Sequence, residues 1–118
     1  MSTDPNNISL FNTKVLEYLS FINNLLIDKK MKKNLITYIS KIKIGLLMDN
    51  LILMNLFKKY IYIYKNEIND KNKLILNKME EYLFENKIKI TDIWDTIEEK
   101  DKETIWKYLK VFVLLCDQ

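Results

Sequence analysis

The sequence predicts an all-α fold, a compact bundle of about five or six helices in one domain. Three observations carry that prediction. One glycine and one proline among 118 residues leave almost no turn chemistry for a β-rich fold. Apolar residues recur at helical spacing through most of the chain. The one strand-like run, Tyr60-Ile61-Tyr62-Ile63-Tyr64, has no second convincing strand to pair with. A chain of this length is expected to be one domain with a core of its own, needing no staples. Residues 1–7 read as a flexible polar tail and residues 8–118 as the helical domain.

The last third, Ile93 to Cys116, reads as the organiser. It holds the two tryptophans, Trp94 and Trp106, each on an apolar stripe. Ile105, Leu109, Phe112 and Cys116 share one helical face, which Trp106 and Val113 widen. Thr96 with Glu99 reads as a capping box for this helix, and Asp101 is a second candidate cap. Trp94, Trp106, Tyr108, Leu109 and Phe112 are assigned to packing. Exposure of either tryptophan would turn that patch into a docking candidate.

In chain order, a first helix is expected from Asn7 or Ser9, with Phe11, Val15, Tyr18, Ile22 and Leu26 facing inward. It should stop near Asp28, before the cluster Lys29-Lys30-Met31-Lys32-Lys33. A second helix is expected from Lys32 to Ile44, with Gly45 ending it as a C-cap or kinking it; a break is favoured. Asp49 reads as the cap of a third helix that carries Leu53, Phe57, Tyr60, Ile61, Tyr64 and Ile68. Asn66 to Asn72 is a polar break. A fourth helix follows over about Lys73 to Asn86. Lys87-Ile88-Lys89-Ile90 reads as an extended connector, and Thr91 as the cap of a short helix with Ile93, Trp94 and Ile97.

Absences bound the chemistry. The chain has no arginine, histidine or alanine, against 19 lysines, 17 isoleucines and 13 asparagines. Lysine, asparagine and isoleucine codons are AT-rich, so the bias points to an AT-rich genome. Without histidine there is no imidazole base and no Ser–His or Cys–His pair. With a single cysteine no ordinary zinc site is expected, and a reducing compartment fits. No glycine-rich loop is present to cradle phosphate. Carboxylates remain: Glu80-Glu81 with Glu85, and Asp92 with Asp95, where an i, i+3 spacing could hold a divalent cation weakly. These read rather as solvated faces and caps, and Cys116 as a small buried hydrophobe. Neither a cofactor nor enzymatic activity is expected.

The net charge of +3 is unevenly spread. Residues 29–65 hold nine lysines and one acid, whereas residues 66–118 hold nine lysines and twelve acids. Lys29, Lys30, Lys32, Lys33, Lys41, Lys43, Lys58 and Lys59 are the candidates for contacting nucleic-acid phosphates. Two points weigh against that reading. Lysines at a helix N-terminus oppose the macrodipole, and lysine is the background residue of this composition. The apolar segment Leu46 to Phe57 is too short and too interrupted to span a membrane. The polar start, Met1 to Asn7, lacks the apolar region of a secretory signal.

Ile93-Trp94 and Lys102-Glu103-Thr104-Ile105-Trp106-Lys107-Tyr108-Leu109 form a motif that resembles the C-terminal signature of small helical proteins of giant viruses, the nucleocytoplasmic large DNA viruses. The opening, Leu10-Phe11-Asn12 and Lys14-Val15-Leu16-Glu17-Tyr18-Leu19, resembles them too. The middle, Phe57-Lys58-Lys59-Tyr60 with Tyr64-Lys65 and Ile68, is similar more loosely. Where such proteins often carry an acidic-aromatic stretch, Asn69-Asp70-Lys71-Asn72 stands here. The resemblance implies a helical fold, a viral origin and a place in host cytoplasm, virus factory or virion; it supplies no catalytic residue. The function expected from the residues is a non-catalytic protein–protein interaction or structural module. Nucleic-acid binding through residues 29–59 is the alternative.

Overall fold

The computed structural model describes residues 4–117. Every regular element among them is helical: six α-helices and two 3-10 segments, with no strand. Helix α1 is Pro5–Leu25, α2 is Lys29–Met48, α3 is Ile52–Tyr60, α4 is Lys65–Asn69, α5 is Leu74–Tyr82 and α6 is Glu99–Asp117. The 3-10 segments are Tyr62–Tyr64 and Ile90–Thr96. The all-α expectation holds, with more and shorter segments than five or six helices.

Helix α1 begins earlier than its apolar stripe suggests. Asp4 caps it, its carboxylate accepting the Asn6 N–H at 2.8 Å, and Pro5 takes the first helical position. Residues 5–7 of the expected tail are therefore helical, and residues 1–3 of it lie outside the described residues. The helix ends at Leu25, short of Asp28, because Asp28 belongs to the next element. Its carboxylate accepts the Met31 N–H at 2.9 Å, which draws the lysine cluster into the first turn of α2.

Gly45 does not break α2. The helix runs on to Met48, Gly45 has no positive φ, and its carbonyl accepts the Asp49 N–H at 2.8 Å. The chain turns at Asp49, whose carboxylate accepts the Leu51 N–H at 3.0 Å. The expected long third helix divides instead. After Tyr60 the backbone tightens into the 3-10 turn Tyr62–Tyr64 before α4 resumes. The run Ile61-Tyr62-Ile63-Tyr64 is β-branched and aromatic, the side-chain types that lose most χ1 freedom in a helix.

With a single glycine in the chain, other residues fill the left-handed positions. Lys71 (φ 55°) ends α4 in a Schellman motif: Asn72 N–H donates to Glu67 O and Lys71 N–H to Ile68 O. Glu85 (φ 52°) and Asn86 (φ 60°) turn the chain after α5, which ends at Tyr82 rather than Asn86. The connector 87–89 is irregular, and its alternation works as expected: Ile88 and Ile90 are buried while Lys87 is exposed.

The core lies between α1, α3 and α6. Phe11, Phe57 and Phe112 meet there, with ring centroids 5.4 to 5.8 Å apart. Tyr18 adds an edge-to-face contact to Phe112 at 5.7 Å. Leu35 of α2, Ile61 and Ile68 close it with no exposed surface. Polar ties fix the corners. Asn12 Nδ2 donates to Asn50 O at 2.9 Å, and Lys71 reaches Glu103 at 2.7 Å. The Tyr62 hydroxyl donates to the Asp117 carboxylate.

Candidate functional site

The carboxylates singled out in the sequence do not share one setting. Glu80, expected on a solvated face, is instead almost completely buried. Its two oxygens accept from Thr91, the backbone N–H at 2.9 Å and the hydroxyl at 2.6 Å. Thr91 thus does not cap the short helix; Glu80 holds it, and with it the start of segment 90–96. Burial pushes the Glu80 carboxyl above its ordinary value, outweighing the Thr91 hydrogen bonds that favour the charged form. Glu81, Glu85, Asp92 and Asp95 are exposed. Among the described residues no group of three or more Cys, Asp or Glu is placed to hold a metal ion. Cys116 is buried, and that burial raises its thiol to about 11, although the charge of Lys58 works the other way.

The tryptophans come together as an edge-to-face pair, centroids 5.9 Å apart. Trp106 is buried and Trp94 half-buried. Lys102 covers the outer ring, its Nζ 5.3 Å from the Trp94 centroid. Neither cap expected for α6 forms as drawn. Thr96 turns its hydroxyl back onto the Ile93 carbonyl at 2.7 Å, and the helix starts at Glu99 with Asp101 inside its first turn. Leu109 and Phe112 are buried in the core.

Tyr108 differs from the other four terminal candidates. Half-buried like Trp94, it alone of the five lines two neighbouring depressions of the surface. The larger, about 600 Å³, lies between α1, α2 and α6, with Leu16, Phe21, Ile39 and Tyr108 as its apolar floor. The smaller, about 240 Å³, continues past Tyr108 to Val111, Thr104 and Lys107. Phe21 and Tyr108 stand 6.2 Å apart, centroid to centroid. On α1 the lining residues Thr13, Leu16, Glu17, Ser20, Phe21 and Asn24 form one helical stripe, about 16 Å long at 1.5 Å per residue. Lys14, Glu17, Lys43 and Lys107 carry the charges at its edges.

The inward stripe read from the sequence of α1 contains neither Leu16 nor Phe21. The available signal was the width of the α1 stripe. Phe11, Tyr18 and Ile22 fill the core, and a second apolar row, Leu16 with Phe21, is left beside it.

The lysine candidates divide between two helices. Six lie on α2 and two, Lys58 and Lys59, in the last turn of α3. Lys29, Lys30, Lys33, Lys41, Lys43 and Lys59 are exposed, and Lys32 and Lys58 half-buried. On α2 they spread around the whole side turned from Leu35 and Ile42, not along one stripe. Lys41 lines a cleft of about 190 Å³ whose walls are mixed, with Asn34, Thr37, Glu85 and Lys87 beside Tyr38, Phe84 and Ile88. Among the described residues none of the eight forms an ion pair. No described helix is long and apolar enough to cross a membrane. No protein-family model matches the chain, and neither a curated protein nor a solved structure matches it.

Proposed function

We propose that the protein is a non-catalytic helical interaction module, and that its docking surface is the groove between α1, α2 and α6. The observation that carries the reading is the continuous apolar floor Leu16, Phe21, Ile39 and Tyr108, open along about three turns of α1. A groove of that length suits one face of an amphipathic helix inserting side chains at i, i+3, i+4 and i+7. Lys14 pairs with Glu17 at 3.2 Å, so Lys43 and Lys107 leave the edges net positive and favour a partner helix with acidic flanks. They disfavour the lysine-rich α2 of a second copy. The resemblance of the terminal motif to giant-virus proteins implies a virus factory, host cytoplasm or virion as the setting in which to look for that partner.

The test is a photo-crosslinking amino acid placed at Ser20, in the groove, and at Lys73, outside it. A discrete protein adduct formed in the cell from position 20, absent from 73 and lost on Tyr108→Glu, is the expected result. Equal adducts from both positions, or none from position 20, would overturn it.

The nucleic-acid reading ranks second. Eight lysines without acidic partners favour it, but their spread around α2 gives no single track for a phosphate backbone.

A further inference from the structure

The outer face of α2 belongs neither to the core nor to the groove floor. Ile36, Ser40, Ile44 and Leu47 follow one another at spacings of four, four and three, a single stripe on the solvent side. Ile36 is 56% exposed, Ile44 62%, Leu47 89% and Met48 85%. Ile52, across the corner from Gly45, adds a further partly open side chain at 37%. Isolated exposed apolar residues are ordinary, but Ile44, Leu47 and Met48 within the last five residues of α2, with Ile52 across the corner, form a group.

The charges on α2 itself are of one sign, and Asp49 follows directly at its end. Helix α2 contains six lysines and no acid. Lys41 and Lys43 flank the apolar stripe on its two sides, while Lys29 and Lys33 continue it toward the N-terminus. The nearest carboxylate, Asp49, is turned onto the Leu51 N–H at 3.0 Å. Helix α2 thus presents exposed apolar side chains at its C-terminal end, on a face whose other charged side chains along the helix are lysines.

We propose that this face of α2 docks on an anionic lipid surface, with Ile44, Leu47 and Met48 entering the headgroup–acyl boundary and the lysines resting on lipid phosphates and carboxylates. Charge complementarity argues for that occupant, and the apolar stripe sets lipid apart from nucleic acid. A phosphate backbone would use the lysines and leave Leu47 and Met48 in water, whereas a bilayer uses both. Side chains as exposed as Leu47 and Met48 can enter a fluid interface without needing a matching cavity. The contact is peripheral, since no described helix is long and apolar enough to span.

The experiment is co-flotation of the full chain with phosphatidylcholine vesicles, with and without about 30% phosphatidylserine, beside anisotropy titrations on single-stranded and duplex DNA. Leu47→Ser/Met48→Ser is the decisive variant, because both side chains are exposed and the fold does not depend on them. Lys29→Gln/Lys33→Gln tests the charges and leaves Lys43, which also edges the groove, untouched. Expected are binding to anionic but not neutral vesicles, a loss of tenfold or more in the Leu-Met variant, and about fivefold per lysine removed. No binding to anionic vesicles, or binding that the Leu-Met variant leaves unchanged, would overturn the proposal. So would DNA binding indifferent to that variant with no vesicle binding, which would assign the lysines to nucleic-acid phosphate.

Discussion

Replacing Gly45 by alanine should stabilise the protein. Gly45 sits inside α2, four residues before its N–H partner Asp49, with no positive φ. A glycine in a helix interior costs about 1 kcal/mol relative to alanine, through the greater freedom it gives the unfolded chain. The new methyl group meets only Ile52 Cδ1, at 3.9 Å, an ordinary van der Waals contact. No clash offsets the gain, so the net effect is about 0.5–1 kcal/mol, near the helix end where the full interior value is an upper bound. For a chain of this size that raises the midpoint of thermal unfolding by about 2–5 °C. Urea and thermal unfolding followed by circular dichroism would measure it, with an unchanged urea slope showing that the unfolded state is comparable. A fall in stability would refute the reasoning. It would mean that Gly45 is a left-handed C-cap, where alanine costs about 1–2 kcal/mol, so the sign alone decides between the two geometries.

Four further outcomes follow from the structure. Glu85→Gly should stabilise by about 1 kcal/mol, because Glu85 holds φ 52° and its ion pair with Lys87 is exposed; unchanged or lower stability in urea would contradict that. Phe112→Ala should cost about 3–5 kcal/mol in the same assay, since Phe112 is buried against Phe11, Phe57 and Tyr18, and a loss below about 2 kcal/mol would show a core able to collapse. Glu80 has a raised carboxyl pKa, so the folded state keeps its proton to higher pH than the unfolded one. Its contribution is therefore full below the ordinary glutamate range and is lost as pH rises through the folded value. The stability difference between wild type and Glu80→Gln should accordingly fall as pH rises from about 4; a difference that grows would show that the Thr91 hydrogen bonds outweigh burial. Cys116, with its thiol raised to about 11, should react with a disulfide reagent at pH 8 only as fast as the fold opens, and faster in Phe112→Ala; labelling at the rate of a free thiol would place it at the surface.

Most of the helical scaffold was legible because helices announce themselves by period. The stripes Phe11–Tyr18–Ile22 and Ile105–Leu109–Phe112–Cys116 are buried as their spacing requires. The boundaries were harder, and each failure has a local cause. Asp28 looks like the end of one helix when read by hydrophobicity and is the cap of the next by hydrogen bonding. Gly45 looks like a stop because glycine usually marks one, yet nothing at that position requires a positive φ. The real left-handed positions hold Lys71, Glu85 and Asn86, which a search for glycine passes over. Glu80 shows the limit for sites: a glutamate among other acids reads as solvated until the fold brings Thr91 onto it from eleven residues away. The groove around Tyr108 was half visible. Tyr108 lay among the candidates, but its openness depends on which helices leave the α1–α6 seam uncovered, and no periodicity encodes that.

The lack of arginine shapes what either surface could do. Lysine is a compact, flexible point charge without the planar fork that reads carboxylates or phosphates bidentately. Nineteen lysines therefore supply attraction and little geometric selectivity. Selectivity must come from shape. In the groove it would come from the floor of Leu16, Phe21, Ile39 and Tyr108, with Lys43 and Lys107 favouring an acidic partner without dictating its sequence. At the end of α2 the apolar side chains Ile44, Leu47 and Met48 stand exposed on a lysine-rich helix, and an unstructured anionic surface is what such a face can use. Salt separates the two. Raising ionic strength weakens exposed lysine contacts on both surfaces, but the groove keeps its apolar burial against a rigid partner. The lipid face depends more heavily on the lysines, because the few side chains of its tip add only part of the attraction. Groove binding that outlasts salt, beside vesicle binding that does not, is the pattern expected of one small chain with two separately governed faces.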